Sequence, residues 1–235
     1  MPKRSNPAFW LMTLGNGGTP VLFNEAVGGT VTEIADYNGT GETWRVHTFT
    51  SSGSLEVLND ADPDGFRVLV AGGGGGGGVS MANGGGGGAA GQLVINDTQA
   101  LTVGTHTVTV GARGNHADNV DWGAGKTGGQ SKLGSITANG GGGGGGGAGW
   151  GGDAHSQTAT QAAYHNDPVG WTESNITGTM SRYCHRGCPG APQSAGLQDS
   201  APGSGGGGAG SGWGDRMAGI KHGIAGIVIV AYQIG

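Results

Sequence analysis

The sequence predicts an all-β protein, with a β-sandwich base that carries packed polyglycine II-type helices and almost no α-helix. Apolar residues recur with a two-residue period or in short continuous runs, which is typical of strands. No segment keeps the 3.6-residue apolar period of an amphipathic helix. Glycine contributes 58 of the 235 residues, and each glycine inside a helix costs about 1 kcal/mol relative to alanine.

The strands are predicted in order along the chain. Residues 43–58 alternate around a turn at 51–53, which predicts a β-hairpin. The run 66–71 is almost continuously apolar, so both of its faces are expected to be buried. Further strands are predicted at 92–96, 105–110, 132–138 and 226–231.

Glycine runs separate these strands, at 72–78, 84–88, 140–147 and 203–208. One interpretation is a flexible linker, because glycine-rich chain behaves as a random coil. Three features favour an ordered structure instead. The runs lie between strands rather than between domains, they follow apolar strands, and they contain almost no Lys or Glu.

Ordered oligoglycine has a suitable conformation in the polyproline II type of helix. This helix has three residues per turn and no internal hydrogen bonds, so its N–H and C=O groups must find partners on neighbouring chains. A helix surrounded by others has no room for Cβ atoms, which explains the need for glycine. Each backbone bond contributes only about 0.5–1.5 kcal/mol, whereas ordering a residue costs about 1–2 kcal/mol. The flanking strands are therefore expected to anchor the layer.

Charge and hydropathy limit the possible partners. The formal net charge is −5, and no Lys/Arg stripe is present to neutralise phosphates, so nucleic acid is not an expected partner. A membrane span needs about 20 apolar residues, and the run 224–232 is less than half of that. No membrane span and no signal peptide are predicted.

Residues 1–43 are predicted to form an N-terminal arm. Apolar patches there are broken by Gly and Pro, which suggests a docking segment on a partner protein. A partly ordered terminus is the alternative. The residues predicted to dock are Phe9, Trp10, Leu11 and Phe23.

No catalytic residue, cofactor or metal site is predicted. The run 123–127 is similar to a phosphate-binding loop, but Val120 stands where the motif needs its first glycine, and no helix follows. Asp60, Asp62 and Asp64 begin like a calcium loop, but no Glu stands where that loop would end. Solvation of a turn is the favoured role of these carboxylates.

Two cysteines, Cys184 and Cys188, flank His185 and Arg186. A zinc site needs four ligands, and the other nearby histidines, His155 and His165, have irregular spacing. A disulfide that closes a short loop or two free thiols is favoured over metal.

Several aromatic residues lie in or beside glycine-rich loops. Exposed aromatics on rigid loops suit stacking on sugar rings or insertion into a partner's pocket. The alternative is that they form small local cores at the ends of the glycine layer. The residues are Trp122, Trp150, Tyr164, Trp171, Tyr183 and Trp213.

The order of blocks resembles a known family. Val-His-Thr-Phe-Thr-Ser-Ser-Gly at 46–53 comes first, and Val-Leu-Val-Ala followed by glycines begins at residue 68. Gly-Gln-Ser-Lys-Leu-Gly-Ser-Ile-Thr-Ala at 129–138 leads into glycines 140–147, and Gly-Ile-Val-Ile-Val at 226–230 comes last. This arrangement resembles the glycine-rich domain of tailed-bacteriophage minor tail and tail-fibre proteins, particularly those of phages of actinobacteria.

The resemblance covers 44–235 and implies a β-sandwich carrying polyglycine helices, with a loop insert at about 153–202. It implies a non-enzymatic structural protein of the virion, at the tail tip or fibre, that acts in tail architecture or host attachment. Other tail proteins, further copies of the chain and a host cell-envelope glycan or protein are the expected partners. The alternative function is a tail-associated cell-envelope hydrolase, for which the sequence shows no nucleophile or metal constellation.

Overall fold

The computed structural model describes residues 23–62, 65–80, 85–118, 122–145, 172–185, 200–206, 220 and 222–235. Within these residues the chain is all-β, as predicted, and its only helical element is a 3-10 turn at Tyr37–Gly39. No helix of the described residues is long and apolar enough to cross a membrane. In chain order the strands are β1 (Glu25–Val27), β2 (Thr30–Ile34), β3 (Trp44–Phe49), β4 (Gly53–Asn59), β5 (Phe66–Ala71), β6 (Val79–Ser80), β7 (Leu93–Gln99), β8 (Gly104–Thr109), β9 (Trp122–Gly123), β10 (Ser131–Leu133), β11 (Ile136–Ala138), β12 (Thr172–Ser174), β13 (Ser181–Tyr183) and β14 (Ile227–Gln233).

Two five-stranded antiparallel sheets form the sandwich. The first has the order β1-β4-β8-β10-β11 and the second β2-β3-β14-β5-β7. Strand β14 lies at the centre of the second sheet, paired with β3 on one side and β5 on the other. The interior positions of β5 and β14 explain their nearly continuous apolar sequences, because both faces of these strands are covered.

The main core lies between the two sheets and takes alternate residues from each. Leu55, Val108 and Leu133 come from the first sheet, and Val68 and Val230 come from the second. All five are at most 1% exposed. Residues of the opposite parity on β5 and β14 enter a second core on the outer face of the second sheet, described below.

Most of the predicted strands are confirmed, and the hairpin predicted at 43–58 is wrong. Strands β3 and β4 both exist, but β3 pairs with β2 and β14, whereas β4 pairs with β1 and β8. The turn at 51–53 therefore carries the chain from one sheet to the other. Alternating sequence predicts strands but not the sheet to which each belongs, so two adjacent strands joined by a short turn have the sequence pattern of a hairpin.

The boundary predicted at residue 43 lies too late in the chain. Strands β1 and β2 fall inside the predicted arm, yet they form edges of the two sheets. Gly28 and Gly29 between them have φ of 134° and 61°, and a Cβ on Gly28 would overlap with the carbonyl of Ser54. Glycine is required here because the chain crosses sharply between the sheets.

Of the predicted docking residues, Phe23 is half-buried, and Phe9, Trp10 and Leu11 lie outside the described residues.

A buried polar network fastens β1 to the second sheet. His47 donates from Nδ1 to the carbonyl of Gly28 at 2.7 Å, because a carbonyl can only accept. With Nδ1 protonated, Nε2 of the neutral ring is an acceptor, and the hydroxyl of Tyr232 lies 3.1 Å away in position to donate to it, with the carbonyl of Ala26 as a second acceptor at 3.2 Å. The N–H of Ala26 in turn donates to the same hydroxyl at 2.9 Å. The neutral His47 ring thus satisfies both of its nitrogens.

This network predicts acid sensitivity. Burial lowers the pKa of His47, and nearby Arg45 lowers it further, against the opposing effect of the Gly28 bond. The unfolded chain therefore binds a proton at a higher pH than the folded chain does. Stability is complete above the unfolded value of about 6.5 and is lost as the pH falls through the folded value. Urea unfolding of wild type and His47→Gln between pH 7.5 and 4.5 measures this, and the wild type should lose more stability on acidification. Equal losses would contradict the prediction.

Candidate functional site

The glycine runs form a hydrogen-bonded bundle at one end of the sandwich. Its central segment, 72–78, follows β5 directly and precedes β6. Six of its seven N–H groups donate to backbone carbonyls, all at 2.9 Å. Residues three apart donate to the same neighbouring segment. The pairs are Gly72 with Gln92, Gly75 with Ala89 and Gly78 with Gly86; Gly73 with Gly129 and Gly76 with Lys126; and Gly74 with Ile224.

The carbonyls of the central segment accept from three other segments, again with a three-residue period. The bonds are 2.8–3.0 Å long. The donors are Gly141 and Gly144 to Gly73 and Gly76, Gly114 and Ala117 to Gly74 and Gly77, and Gly206 to Gly75. The central segment therefore has six neighbours, three that accept from it and three that donate to it.

Backbone hydrogen bonds also join the six outer segments into a closed ring. The order around the ring is 85–92, 203–206, 222–226, 111–117, 125–129 and 141–145, with the last bonded again to the first. Their directions alternate. The segments that donate to the centre run parallel to it, away from the sandwich, and those that accept run antiparallel. We call these seven segments the glycine bundle.

The bundle leaves no room for side chains on its central segment. A Cβ on Gly74 would overlap with the carbonyl of Ser204, one on Gly75 with that of Gly142, and one on Gly76 with that of Asn115. Each obstacle is backbone that is itself hydrogen-bonded, so it cannot rotate away. Because side chains are excluded, an uninterrupted glycine run is required at this position.

In the outer segments that run antiparallel to the central one, glycine is required where the Cβ would point inward. On segment 85–92, a Cβ on Gly85, Gly88 or Gly91 would overlap with the central segment. Segment 125–129 follows the same three-residue rule at Gly125 and Gly128. The intervening residues of that segment, Lys126 and Thr127, are exposed.

The far end of the bundle, which we call the distal end, is where the chain leaves and re-enters it. Segments 72–78 and 111–117 arrive there from the sandwich, and segments 85–92 and 125–129 depart from it. Strands β6 and β9 pair at this end, which places the backbone of Trp122 there. Trp150, Tyr164, Trp171 and Trp213 lie outside the described residues, and their surface role stays a prediction.

A small set of side chains closes the distal end. Val79, Ala117 and Ile220 form a separate buried cluster. His116 and His222 stack beside it, with ring centroids 4.3 Å apart. Burial lowers the pKa of His222, and the neighbouring His116 and Arg113 lower it further. This set connects segment 111–117 to the chain entering segment 222–226.

Tyr183 is not exposed, which corrects the surface role predicted for it. It is 3% exposed and packs in the outer core with Ile176, Leu69 and Ile229. The hairpin of β12 and β13 therefore covers the outer face of the second sheet. This part of the predicted loop insert therefore forms a local core, which is the kind of position that the alternative interpretation gave to the aromatics.

An aromatic cluster fastens this hairpin to the sandwich. Tyr37 and Trp44 stack with ring centroids 4.5 Å apart, and the Arg67 guanidinium lies 5.7 Å from the Tyr37 centroid. Arg67 donates to the Tyr37 hydroxyl at 2.8 Å, and that hydroxyl donates to the carbonyl of Ile176 at 2.9 Å. Arg67 also pairs with Asp97 at 2.7 Å. The sequence contains no signal for this cluster, because its members lie far apart in the chain.

The side chain of Cys184 is buried in the outer core, and no disulfide joins it to another described residue. Cys188 lies outside the described residues, so the disulfide between them stays a prediction. Burial raises the pKa of the Cys184 thiol to about 12. The thiolate is the reactive form, so native protein in reducing buffer at pH 8 should resist iodoacetamide at Cys184 until urea is added. Rapid labelling of Cys184 without urea, identified by peptide mass spectrometry, would contradict this burial.

The described residues contain no group of three or more His, Cys, Asp or Glu side chains that could hold a metal ion. The run similar to a phosphate loop is part of the bundle, where the amide of Lys126 donates to the carbonyl of Asn115 and its own carbonyl accepts from Gly76. Those backbone groups are already paired.

Asp62 lies in a turn, in which the amide of Gly65 donates to the carbonyl of Asp62.

Comparison with known proteins gives a family. No curated protein matches the chain. A family model described as a glycine-rich domain matches residues 50–233, which include strands β4 to β14 and the glycine bundle. Because the match covers most of the chain, the protein belongs to the glycine-rich domain family.

Proposed function

We propose that the protein is a non-enzymatic structural component of a bacteriophage tail tip or fibre. In this proposal the sandwich is the base, and the glycine bundle is a rigid support that presents the distal loops to a partner. The observation that carries the proposal is the closed ring of six segments around a seventh. Such a ring fixes the points at which each segment leaves the bundle, and an attachment surface requires its loops to be held in this way.

The seven segments act as polyglycine II-type helices in this proposal. The three-residue period of the hydrogen bonds matches the three residues per turn of that helix. The direction of each bond also matches, because all of them leave the segment for a neighbour. Four-residue helical bonds or a two-residue strand period would give a different pattern.

The resemblance to phage tail proteins supports the virion assignment, since the glycine blocks and apolar strands occur in the same order. Attachment is proposed to rest on the aromatics Trp122, Trp150, Tyr164, Trp171 and Trp213, a residue type that suits stacking on sugars. The arm 1–22 is proposed to dock on another tail protein. Its connection to the sandwich is fixed, because Asn59 donates to the carbonyl of Phe23 at 2.9 Å.

Two experiments test this function. Antibodies against the protein should label intact phage particles at the tail by electron microscopy. Purified protein should bind actinobacterial cells, and Trp122→Ala or Trp213→Ala should weaken that binding. Val103→Ala is the control, because Val103 is 64% exposed on the sandwich base. Absence from phage particles would contradict the virion role, and equal binding by all variants would restrict the protein to tail architecture.

A further inference from the structure

Two histidines lie against each other near the distal end of the glycine bundle. His116 belongs to segment 111–117, and His222 begins segment 222–226. Their rings stack with centroids 4.3 Å apart, and both residues are half-buried. A backbone bond between the two segments lies directly beside them, from the amide of Gly223 to the carbonyl of Gly114 at 2.8 Å. The pair therefore lies where these two segments approach the distal end.

The hydrogen bonds of the pair give the two rings different sensitivities to a proton. Nδ1 of His116 lies 2.8 Å from the carbonyl of Ala117 and must carry a hydrogen, because a carbonyl only accepts. Nδ1 of His222 accepts the backbone amide of His116 at 3.3 Å, so this nitrogen must carry a lone pair. A second proton on His116 leaves its bond intact, whereas a proton on Nδ1 of His222 removes the acceptor. His222 is therefore the proton-sensitive member of the pair.

The positive groups beside His222 also oppose its protonation. Residues three apart in a segment share a neighbour in this bundle, so Arg113 lies on the same side of segment 111–117 as His116. Burial lowers the pKa of His222, and the nearby His116 and Arg113 lower it further. Protonation of His222 would thus break a bond and bring like charges together.

The other neighbours of segment 222–226 do not offset this effect. The carboxylate of Asp118 pairs with Lys126 at 3.6 Å, on the side of 111–117 that faces away from His222. The adjacent bundle segments 72–78 and 203–206 contain no titratable side chain. Among the described residues, therefore, only positive groups bear on the charge of this ring.

We propose that the pair is an acid-sensitive latch, which holds the distal end of the bundle closed while His222 is neutral and releases it when His222 binds a proton. The closed state needs the lone pair on Nδ1, so the proton binds the open state more tightly and shifts the population toward it. Closure is complete above the ordinary histidine pKa of about 6.5 and weakens as the pH falls through the lower value of the closed state. A role of the latch in attachment rests on the proposed function, but the opening itself does not.

The opening should begin with the side chains that close the distal end. Ala117 follows His116 directly and is buried with Val79 and Ile220. Its amide donates to the carbonyl of Gly77 at 3.0 Å. When the stack separates, this end of the segment loses the contact that holds it beside 222–226. Local opening of this kind needs less free energy than opening of the whole bundle.

Amide exchange followed by NMR between pH 7.5 and 5.0 tests the latch, with each rate divided by that of an unstructured peptide at the same pH. Protection at His116, Ala117 and Gly223 should fall on acidification, by at most about tenfold for each pH unit, the limit for one proton. These amides should stay less protected than Gly75 at every pH, because they exchange through a local opening. The ring signals of His222 should titrate over the same range in which protection is lost.

A pair of matched variants assigns the effect to one ring. His222→Gln should remove the pH dependence, because glutamine does not titrate in this range and its side-chain oxygen can still accept the amide. His106→Gln is the control, since it makes the same change on β8 of the sandwich base and should leave the pH dependence in place.

Three results would overturn the latch. They are distal protection that does not change with pH in wild type, an unchanged pH dependence in His222→Gln, and titration of the His222 ring outside the range in which protection is lost. Equal protection of the distal amides and Gly75 would also overturn it, because the opening would then be global. Absence of the protein from phage particles would contradict only the proposed function, since the latch is measured on the isolated chain.

Discussion

Gly75→Ala is expected to lower the free energy of unfolding by ~3 kcal/mol, at the upper end of the range for overpacked cores. The new Cβ would overlap with the carbonyl of Gly142, which accepts the amide of Ala89. To make room, segment 141–145 must move away from the centre, and this movement lengthens bonds on both sides. The loss is a large share of the 5–15 kcal/mol typical of a domain. Chemical denaturation measures it.

Gly142→Ala is the matched control, because it lies on the neighbouring segment and no atom of the described residues comes within 4 Å of its Cβ. Its stability should equal that of wild type or exceed it by up to about 1 kcal/mol. Equal effects of the two substitutions would mean that the central segment is not enclosed. A harmless Gly75→Ala would lead to the same conclusion.

Ile176→Ala is expected to destabilise the protein by about 2–4 kcal/mol, the usual cost of such a truncation in a core. Ile176 is completely buried and packs between the hairpin and the second sheet. The cavity also loosens the contact of the Ile176 carbonyl with the Tyr37 hydroxyl. Denaturation gives the magnitude, and hydrogen exchange at 172–183 shows whether the hairpin loosens first.

Met180→Ala is the control in the same hairpin, since Met180 is 65% exposed. Its effect should lie within about 0.5 kcal/mol, as is usual for surface positions. If Ile176→Ala were as mild as this control, the hairpin would be a loop resting on the surface. The surface role predicted for Tyr183 would then regain support.

The sequence predicts the strands well because their signal is local. The nearly continuous apolar runs of β5 and β14 indicate burial on both faces. Val68 and Val230 on the inner face, and Leu69 and Ile229 on the outer face, are all at most 1% exposed. The pairing of strands is not local. Nothing in 43–58 distinguishes a hairpin from a crossover between two sheets, so that prediction failed.

The candidate site is predictable in part, because the glycine runs are also a local signal in the sequence. A run of seven glycines at 72–78 indicates a crowded backbone, and the structure places it at the centre of a ring. The three-residue spacing of Gly85, Gly88 and Gly91 is harder to recognise in the sequence, because Gly86 and Gly87 between them are glycines too. The cluster of Tyr37 and Arg67 was missed, because it depends on contacts with a distant hairpin.

The aromatics show the limit of arguments from composition. Tyr183 stands beside loop residues in the sequence, and this context favoured exposure. In the structure it is buried, because β13 pairs with β12 and both pack on the second sheet. A short strand with few apolar residues gives no sequence signal of the surface that it covers.

Amide hydrogen exchange along 72–78 tests the central claim most directly. The amides of Gly74, Gly75 and Gly76 are buried and bonded to three different segments, so each can exchange only when the bundle opens. They should therefore exchange as slowly as the amides of β5 and β14. Exchange throughout 72–78 at the rate of an unstructured peptide would show that the glycines are a tether, and would contradict the enclosed bundle.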